Sequence, residues 1–115
     1  MAITLVGTVT TAEGSGPHPT IGHTVPSGAD ILAVRYSHFD QTITACNWNG
    51  SEVVANRIAN IANSDRASIR SLVSPTATTA NVTGTFSANN DYTIGVAAYD
   101  GVDTANAHGN TGSDS

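Results

Sequence analysis

Apolar and polar residues alternate along most of this 115-residue chain, in short runs separated by turn-forming residues. Alternation with period two over about four to eight residues marks a strand with one buried face. Residues 2–11 set Ile3, Leu5 and Val9 on one side and Thr4, Thr8 and Thr10 mostly on the other, which predicts a strand. In Glu13-Gly14-Ser15-Gly16-Pro17-His18-Pro19 the prolines and glycines interrupt any ladder and predict a loop. Residues 20–25 predict a short edge strand ahead of Pro26-Ser27-Gly28. Residues 30–38 are the clearest strand, with Leu32, Val34 and Tyr36 on one side and Ala33, Arg35 and Ser37 on the other. Residues 42–48 form the next strand. Asn49-Gly50 after it is a strong hairpin signal, because both residues tolerate positive φ, so a return strand is expected from Ser51.

The segment 52–63 reads two ways. Val54, Ile58, Ile61 and Ala62 stand near helical spacing, but the side chains of Asn56, Asn60 and Asn63 compete for backbone hydrogen bonds and disfavour a helix. A strand fraying into a loop is the preferred reading. Further strands are expected over 66–74, ended by Pro75, over 81–87 with Val82, Gly84 and Phe86 aligned, and over 92–99 with Tyr92, Ile94, Val96 and Ala98 aligned. The expected core is Leu32, Val34, Ile69, Phe86, Ile94 and Val96. Beyond Asp100 the chain is Gly, Asn, Asp, Ser, Thr and Ala with almost no large apolar group, too little to order itself. The expected organisation is one domain over 1–100 and a flexible C-terminal arm over 101–115. Short alternating strands at regular spacing predict an all-β fold, an antiparallel β-sandwich of the Ig-like or jelly-roll type.

Composition sharpens this picture. Charged residues make up 11% of the chain, against about a quarter in an ordinary soluble domain. Lysine is absent, and Thr, Ser, Asn and Gly stand where helical surfaces carry Lys, Glu and Gln. The net charge of −5 repels a phosphate backbone, and Arg35, Arg57, Arg66 and Arg70 form no basic run, so no nucleic-acid partner is expected. No apolar run approaches the roughly 20 residues of a membrane-spanning helix, and no membrane partner is expected. Met1-Ala2-Ile3-Thr4 does not open a basic-then-apolar leader, so synthesis in a cytoplasm without a signal peptide is expected. Cys46 stands alone, which excludes an internal disulfide framework and assigns it to the core.

Candidate chemistry is sparse. His18, His23, His38 and His108 lack metal-ligand spacing, and no cysteine pair accompanies them. Asp100, Asp103 and Asn106 resemble a loose oxygen-rich loop but lack the spacing and closing Glu of a calcium loop, and read as a solvated turn. Gly14-Ser15-Gly16 sits in a Pro-Gly loop without the strand-to-helix turn of a nucleophile elbow. Glu13 and Glu52, the only glutamates, both fall in or near turns. No catalytic, cofactor-binding or metal-ligating residue is expected, and enzyme activity is not expected. Four residues are candidate partner contacts: His18 and His23 around the Pro-rich loop, Trp48 and Tyr99. Trp48 has two readings, a core anchor before the hairpin or, with Tyr36 and Tyr99, a sugar-stacking platform.

The segments Asp30-Ile31-Leu32-Ala33-Val34, Ile43-Thr44-Ala45-Cys46-Asn47-Trp48-Asn49-Gly50, Ser68-Ile69-Arg70-Ser71-Leu72-Val73-Ser74-Pro75, Thr79 through Ser87 and Gly95 through Asp103 together resemble a β-sandwich module of phage particle proteins and large bacterial surface proteins. The resemblance covers residues 22–103. It departs from the module at Arg70 and Ser71, where aromatic residues are usual, and after Asp103, where further strands usually follow. A sandwich short of closing strands offers an open edge to a neighbour. The resemblance implies a sandwich with an adhesive or structural role; with the absent leader, the low charge, the Thr/Asn/Gly-rich surface and the incomplete sandwich, the expectation is a structural protein of a virion, a capsid decoration (cement) or fibre protein. Its partners would be copies of itself and a major capsid or fibre protein, in a homo-oligomer for which a trimer is favoured. The alternatives are an extracellular bacterial adhesive or carbohydrate-binding module, and a fibre-forming subunit that exchanges strands.

Overall fold

A computed structural model describes residues 2–39, 42–60, 65–89, 91–105 and 112–114. The chain is all-β among them. Its strands are β1 (Thr4–Ser15), β2 (Thr20–Thr24), β3 (Ile31–Phe39), β4 (Ile43–Trp48), β5 (Ser51–Glu52), β6 (Val54–Asn60), β7 (Asp65–Val73), β8 (Thr79–Phe86), β9 (Asp91–Asp100) and β10 (Gly112–Asp114). One sheet runs β1-β9-β3-β7-β6-β10 and the other β2-β8-β4-β5. Every pairing is antiparallel except that of β10, which lies parallel to β6. The two sheets form the expected sandwich.

Alternation builds the core. Leu32, Val34 and Tyr36 of β3 and Ile94, Val96 and Ala98 of β9 face Ile21, Ile43, Cys46, Trp48, Val82 and Phe86 of the second sheet in one buried cluster. Tyr36 and Phe86 meet edge to face across the sheets, 5.8 Å between ring centres, a favoured arrangement for aromatic pairs. A bulge in β4 after Ile43 puts both Ile43 and Cys46 inward, although three positions separate them. The hairpin after β4 forms at Asn49-Gly50, with φ of 49° and 79°, the left-handed pair of a type I′ turn. Between β5 and β6 stands the fully buried Val53, whose N–H donates to the Cys46 carbonyl at 2.9 Å, and there the chain crosses to the other sheet. The preferred reading of this segment as a strand thus holds through Asn60, and residues 61–64 lie outside the described residues.

Two sequence expectations change. β1 continues to Ser15, because Glu13, Gly14 and Ser15 keep their ladder partners Thr93, Tyr92 and Asp91 on β9. After it, the carbonyls of Pro17 and Pro19 accept from the N–H groups of Phe86 (2.7 Å) and Gly84 (2.9 Å). The prolines thus line a sheet edge as acceptors, where their missing N–H costs nothing. Ile69 does not join the core and is 50% exposed. The pairs Leu32–Leu72, Val34–Arg70 and Tyr36–Ser68 turn the even-numbered side chains of β7 inward, burying Ser68 and Arg70 and sending Ile69 out. A one-residue register difference exchanges every side chain between faces. Of the segment expected as an arm, Gly112–Asp114 lie beside Arg57–Ala59 of β6.

Candidate interaction surface

The four candidate contact residues do not converge. His18 is exposed, and its carbonyl accepts a 3.4 Å bond from the Thr20 hydroxyl. His23 points into the sandwich at 2% exposure, with Nδ1 2.8 Å from Thr10 Oγ1, a bond that ties β2 to β1 of the other sheet. Burial lowers its pKa below the usual 6.5, since the charged imidazolium would lose its hydration. Trp48 is 1% exposed in the core, so neither it nor His23 can touch a partner, and Trp48 is the anchor rather than the platform. Alternation decides both, because each falls on the inward parity of its strand. Tyr99 alone reaches an outer face, half-buried.

The residues weighed for chemistry also stand apart. Asp100 accepts from the Thr4 hydroxyl. Asp103 accepts from Ala105 N at 3.1 Å, and Asp30 from Val102 N at 3.1 Å, so the carboxylates fix turns. Asn106 lies outside the described residues. Glu13 sits on β1 and Glu52 on β5, strands at opposite sides of the sandwich, so they cannot act as a pair. Among the described residues no three His, Cys, Asp or Glu side chains gather where they could hold a metal ion. The Cys46 thiol is buried against the Tyr36 hydroxyl at 3.4 Å, and desolvation pushes its pKa up, which opposes thiolate chemistry.

What the topology does assemble is the outer face of the six-stranded sheet. Register lays Leu5, Tyr99, Ile31 and Val73 in one row and Ala97, Ala33, Ser71 and Val54 in the next. Leu5 is 47% and Val54 53% exposed, while Ile31 and Ala97 are nearly covered by their neighbours. A third row holds Thr11, Gly95, Arg35 and Ile69. The Arg35 guanidinium lies flat over Gly95, where a Cβ would meet Nη2 at 3.0 Å. Beyond Arg35 the face turns polar, with Glu13, Thr93 and Ser37 in line. The apolar half adjoins β1, whose other edge pairs with no strand among the described residues. β1 carries one charged residue, Glu13, and Val9 on it and Ile3 just before it are exposed. Sequence reasoning missed this face because Ile69 and Val54 read as core or ambiguous positions; the signal available was the odd parity shared by Ile31, Ala33, Ile69 and Val73.

Comparison with protein-family models, with curated proteins and with solved structures found no match to this chain.

Proposed function

We propose that this chain is a structural subunit of a virus particle, a capsid decoration or fibre protein of the phage kind, with no catalytic role. It binds copies of itself and a major capsid or fibre protein through the apolar half of its outer sheet face. The observation that carries this reading is the set of outward apolar side chains on one sheet face, Leu5 and Tyr99 beside the unpaired edge of β1 and Val54 and Ile69 further across on β6 and β7. Isolated exposed apolar residues need no explanation, but several on one sheet face that also borders a long bare strand edge do. Covering the exposed half of Leu5, Val54 and Ile69 contributes about 1 kcal/mol each, which supports only a millimolar single contact. A lattice with many equivalent sites converts such contacts into firm attachment by raising the effective concentration. The low charge of the chain suits this role, since few charges lose water in a contact.

Closed rings are the economical form for such a subunit, and a trimer fits a particle with threefold positions. Sedimentation at rising concentration tests the reading. The chain should self-associate into a closed oligomer, and Ile69→Glu with Val54→Lys should return it to monomer without altering the circular-dichroism spectrum. A monomer up to about 1 mM, the range where such a contact saturates, removes the self-association. Electron microscopy of particles from the native source, with the chain labelled, tests its place in the virion. Its absence from every particle removes that role.

A further inference from the structure

The polar half of the same face is concave. An open trough of about 680 Å³ is lined by Glu13, Ser37, Phe39, Asp91 and Thr93, among others. A neighbouring depression of about 350 Å³ shares Glu13 and Thr93 with it and adds Arg35 and Thr11. Register makes the two a single strip. Arg35, Ser37 and Phe39 are successive outward positions of β3, Gly95 and Thr93 stand opposite the first two on β9 with Asp91 two residues before Thr93, and Thr11, Glu13 and Ser15 lie beyond on β1. From Arg35 to Phe39 the strip is about 14 Å long, and from β3 to β1 about 10 Å wide.

We propose that this strip binds a neutral saccharide of one or two rings. Phe39 is 49% exposed at the end of the strip and presents an apolar ring to the C–H face of a sugar. The Glu13 and Asp91 carboxylates each have two oxygens to accept from neighbouring hydroxyls, and the Arg35 guanidinium donates in a planar fork. Ser37 and Thr93 between them both donate and accept. A sugar ring has this same combination, one apolar face rimmed by hydroxyls that donate and accept. Glu13 and Asp91 are balanced by Arg35 and Arg66 in the lining, so the strip offers no excess cation to an acidic sugar while the chain's net charge of −5 opposes one, which selects a neutral ligand. Apart from Arg66 all these side chains are exposed, so binding strips little water from a buried charge, and an open strip holds its ligand weakly. The strip shares a sheet with the proposed docking surface but none of the residues altered to test it, so either reading can fail without the other.

The buried Trp48 will not report a ligand here, so amide chemical shifts are the readout. The ¹⁵N-labelled chain is titrated with a panel of neutral mono-, di- and trisaccharides up to about 20 mM, enough to reach a millimolar Kd. Saturable shifts at the Glu13, Ser37, Phe39 and Thr93 amides are expected with at least one sugar. Phe39→Ala and Glu13→Gln should each weaken that binding fivefold or more at an unchanged melting temperature, and an acidic analogue of the same sugar should bind more weakly than the neutral form. A panel without saturable shifts at these amides overturns the proposal. So does binding that both variants leave intact.

Discussion

Gly84 sits where three elements close on one point of the core. A Cβ there would lie 2.8 Å from Tyr36 Oη, 3.2 Å from Pro19 Cγ and 3.4 Å from Tyr36 Cζ. The backbone cannot retreat, since Gly84 pairs with Cys46 of β4 and its N–H donates to the Pro19 carbonyl at 2.9 Å. Tyr36 has no free space either, being fully buried with its hydroxyl 3.4 Å from Cys46 Sγ. Gly84→Ala therefore overpacks the core, at about 1–3 kcal/mol. Displacing Tyr36 forfeits its bond to Cys46, worth about 0.5–1 kcal/mol. Against this, alanine narrows the unfolded ensemble and returns about 0.4–1 kcal/mol. The net loss is about 1–3 kcal/mol. At about 2 cal/mol/K of unfolding entropy per residue, the melting temperature falls by roughly 4–12 °C.

The clash is sharpest at one atom, the Tyr36 hydroxyl oxygen, which makes it separable from general strand damage. Tyr36→Phe removes the hydroxyl that the new methyl would strike, leaving the ring carbon at an ordinary contact distance. In that background Gly84→Ala should cost about 1 kcal/mol less, with only the 3.2 Å approach to Pro19 Cγ left to resist it, a coupling typical of touching residues. Guanidinium unfolding followed by the fluorescence of the buried Trp48 measures all four proteins of the cycle. The reasoning is refuted if Gly84→Ala lies within about 0.5 kcal/mol of the parent, or costs the same in both backgrounds.

Arg70 is buried against the core and meets no carboxylate among the described side chains; its Nη2 donates to the Ile43 carbonyl at 3.5 Å, and Nε has no partner. Arg70→Met should raise stability by about 1 kcal/mol or more, read as a higher denaturation midpoint at constant m-value; a drop would show that the guanidinium holds the core together. His23, kept neutral by burial, has its folded pKa below the unfolded 6.5. Its contribution is therefore complete above about pH 6.5 and is lost as pH falls toward the folded pKa, where the unfolded chain binds the proton first. Denaturant midpoints should fall between pH 7.5 and pH 5.5, and His23→Gln should flatten that slope; an equal slope in the variant assigns it to another group.

The parts of the fold legible in the sequence are those where one parity is unmistakably apolar. Leu32-Val34-Tyr36 and Ile94-Val96-Ala98 fixed the two central strands, and Asn49-Gly50 fixed the hairpin between β4 and β5. β7 was legible as a strand but not in its facing. Ser68-Ile69-Arg70-Ser71-Leu72 offers an isoleucine on one parity and a leucine on the other, and only pairing with β3 decides between them. Favouring Ile69 for the core was reasonable by hydropathy and wrong by register. The outer face was illegible for a related reason. Its rows take one residue from each of several strands, with Leu5 and Tyr99 ninety-odd positions apart in the chain, and no local window contains a row. Trp48 illustrates the opposite limit, since its aromatic chemistry suited two roles and only its parity in β4 selected the core.

In an antiparallel sandwich standing alone, the inner faces are apolar and the outer faces polar. The four-stranded sheet obeys this, with Thr20, Gly22, Thr24, Asn47, Asn81 and Thr83 all exposed. The six-stranded sheet obeys it only beyond Arg35. In its other half Ile31 and Ala97 are less than a tenth exposed, on a face that no sheet of the described residues covers. That half carries the residue types of a core and the position of a surface, and along β3 it ends at Arg35, whose guanidinium lies over Gly95. A sheet face of this composition is unstable to covering. Solvent leaves Leu5, Val54 and Ile69 half wet, and a flat apolar partner removes that exposure while meeting a charge only at Arg35, which pairs with Ile69. The asymmetry between the two outer faces thus predicts which side of the molecule meets its neighbours. A map of hydrogen exchange in the assembled state should show protection gained along β1, β3 and β7 and none along β2 and β8. Protection gained along β2 and β8 instead would put the contact on the four-stranded sheet and leave the apolar half-face without a role.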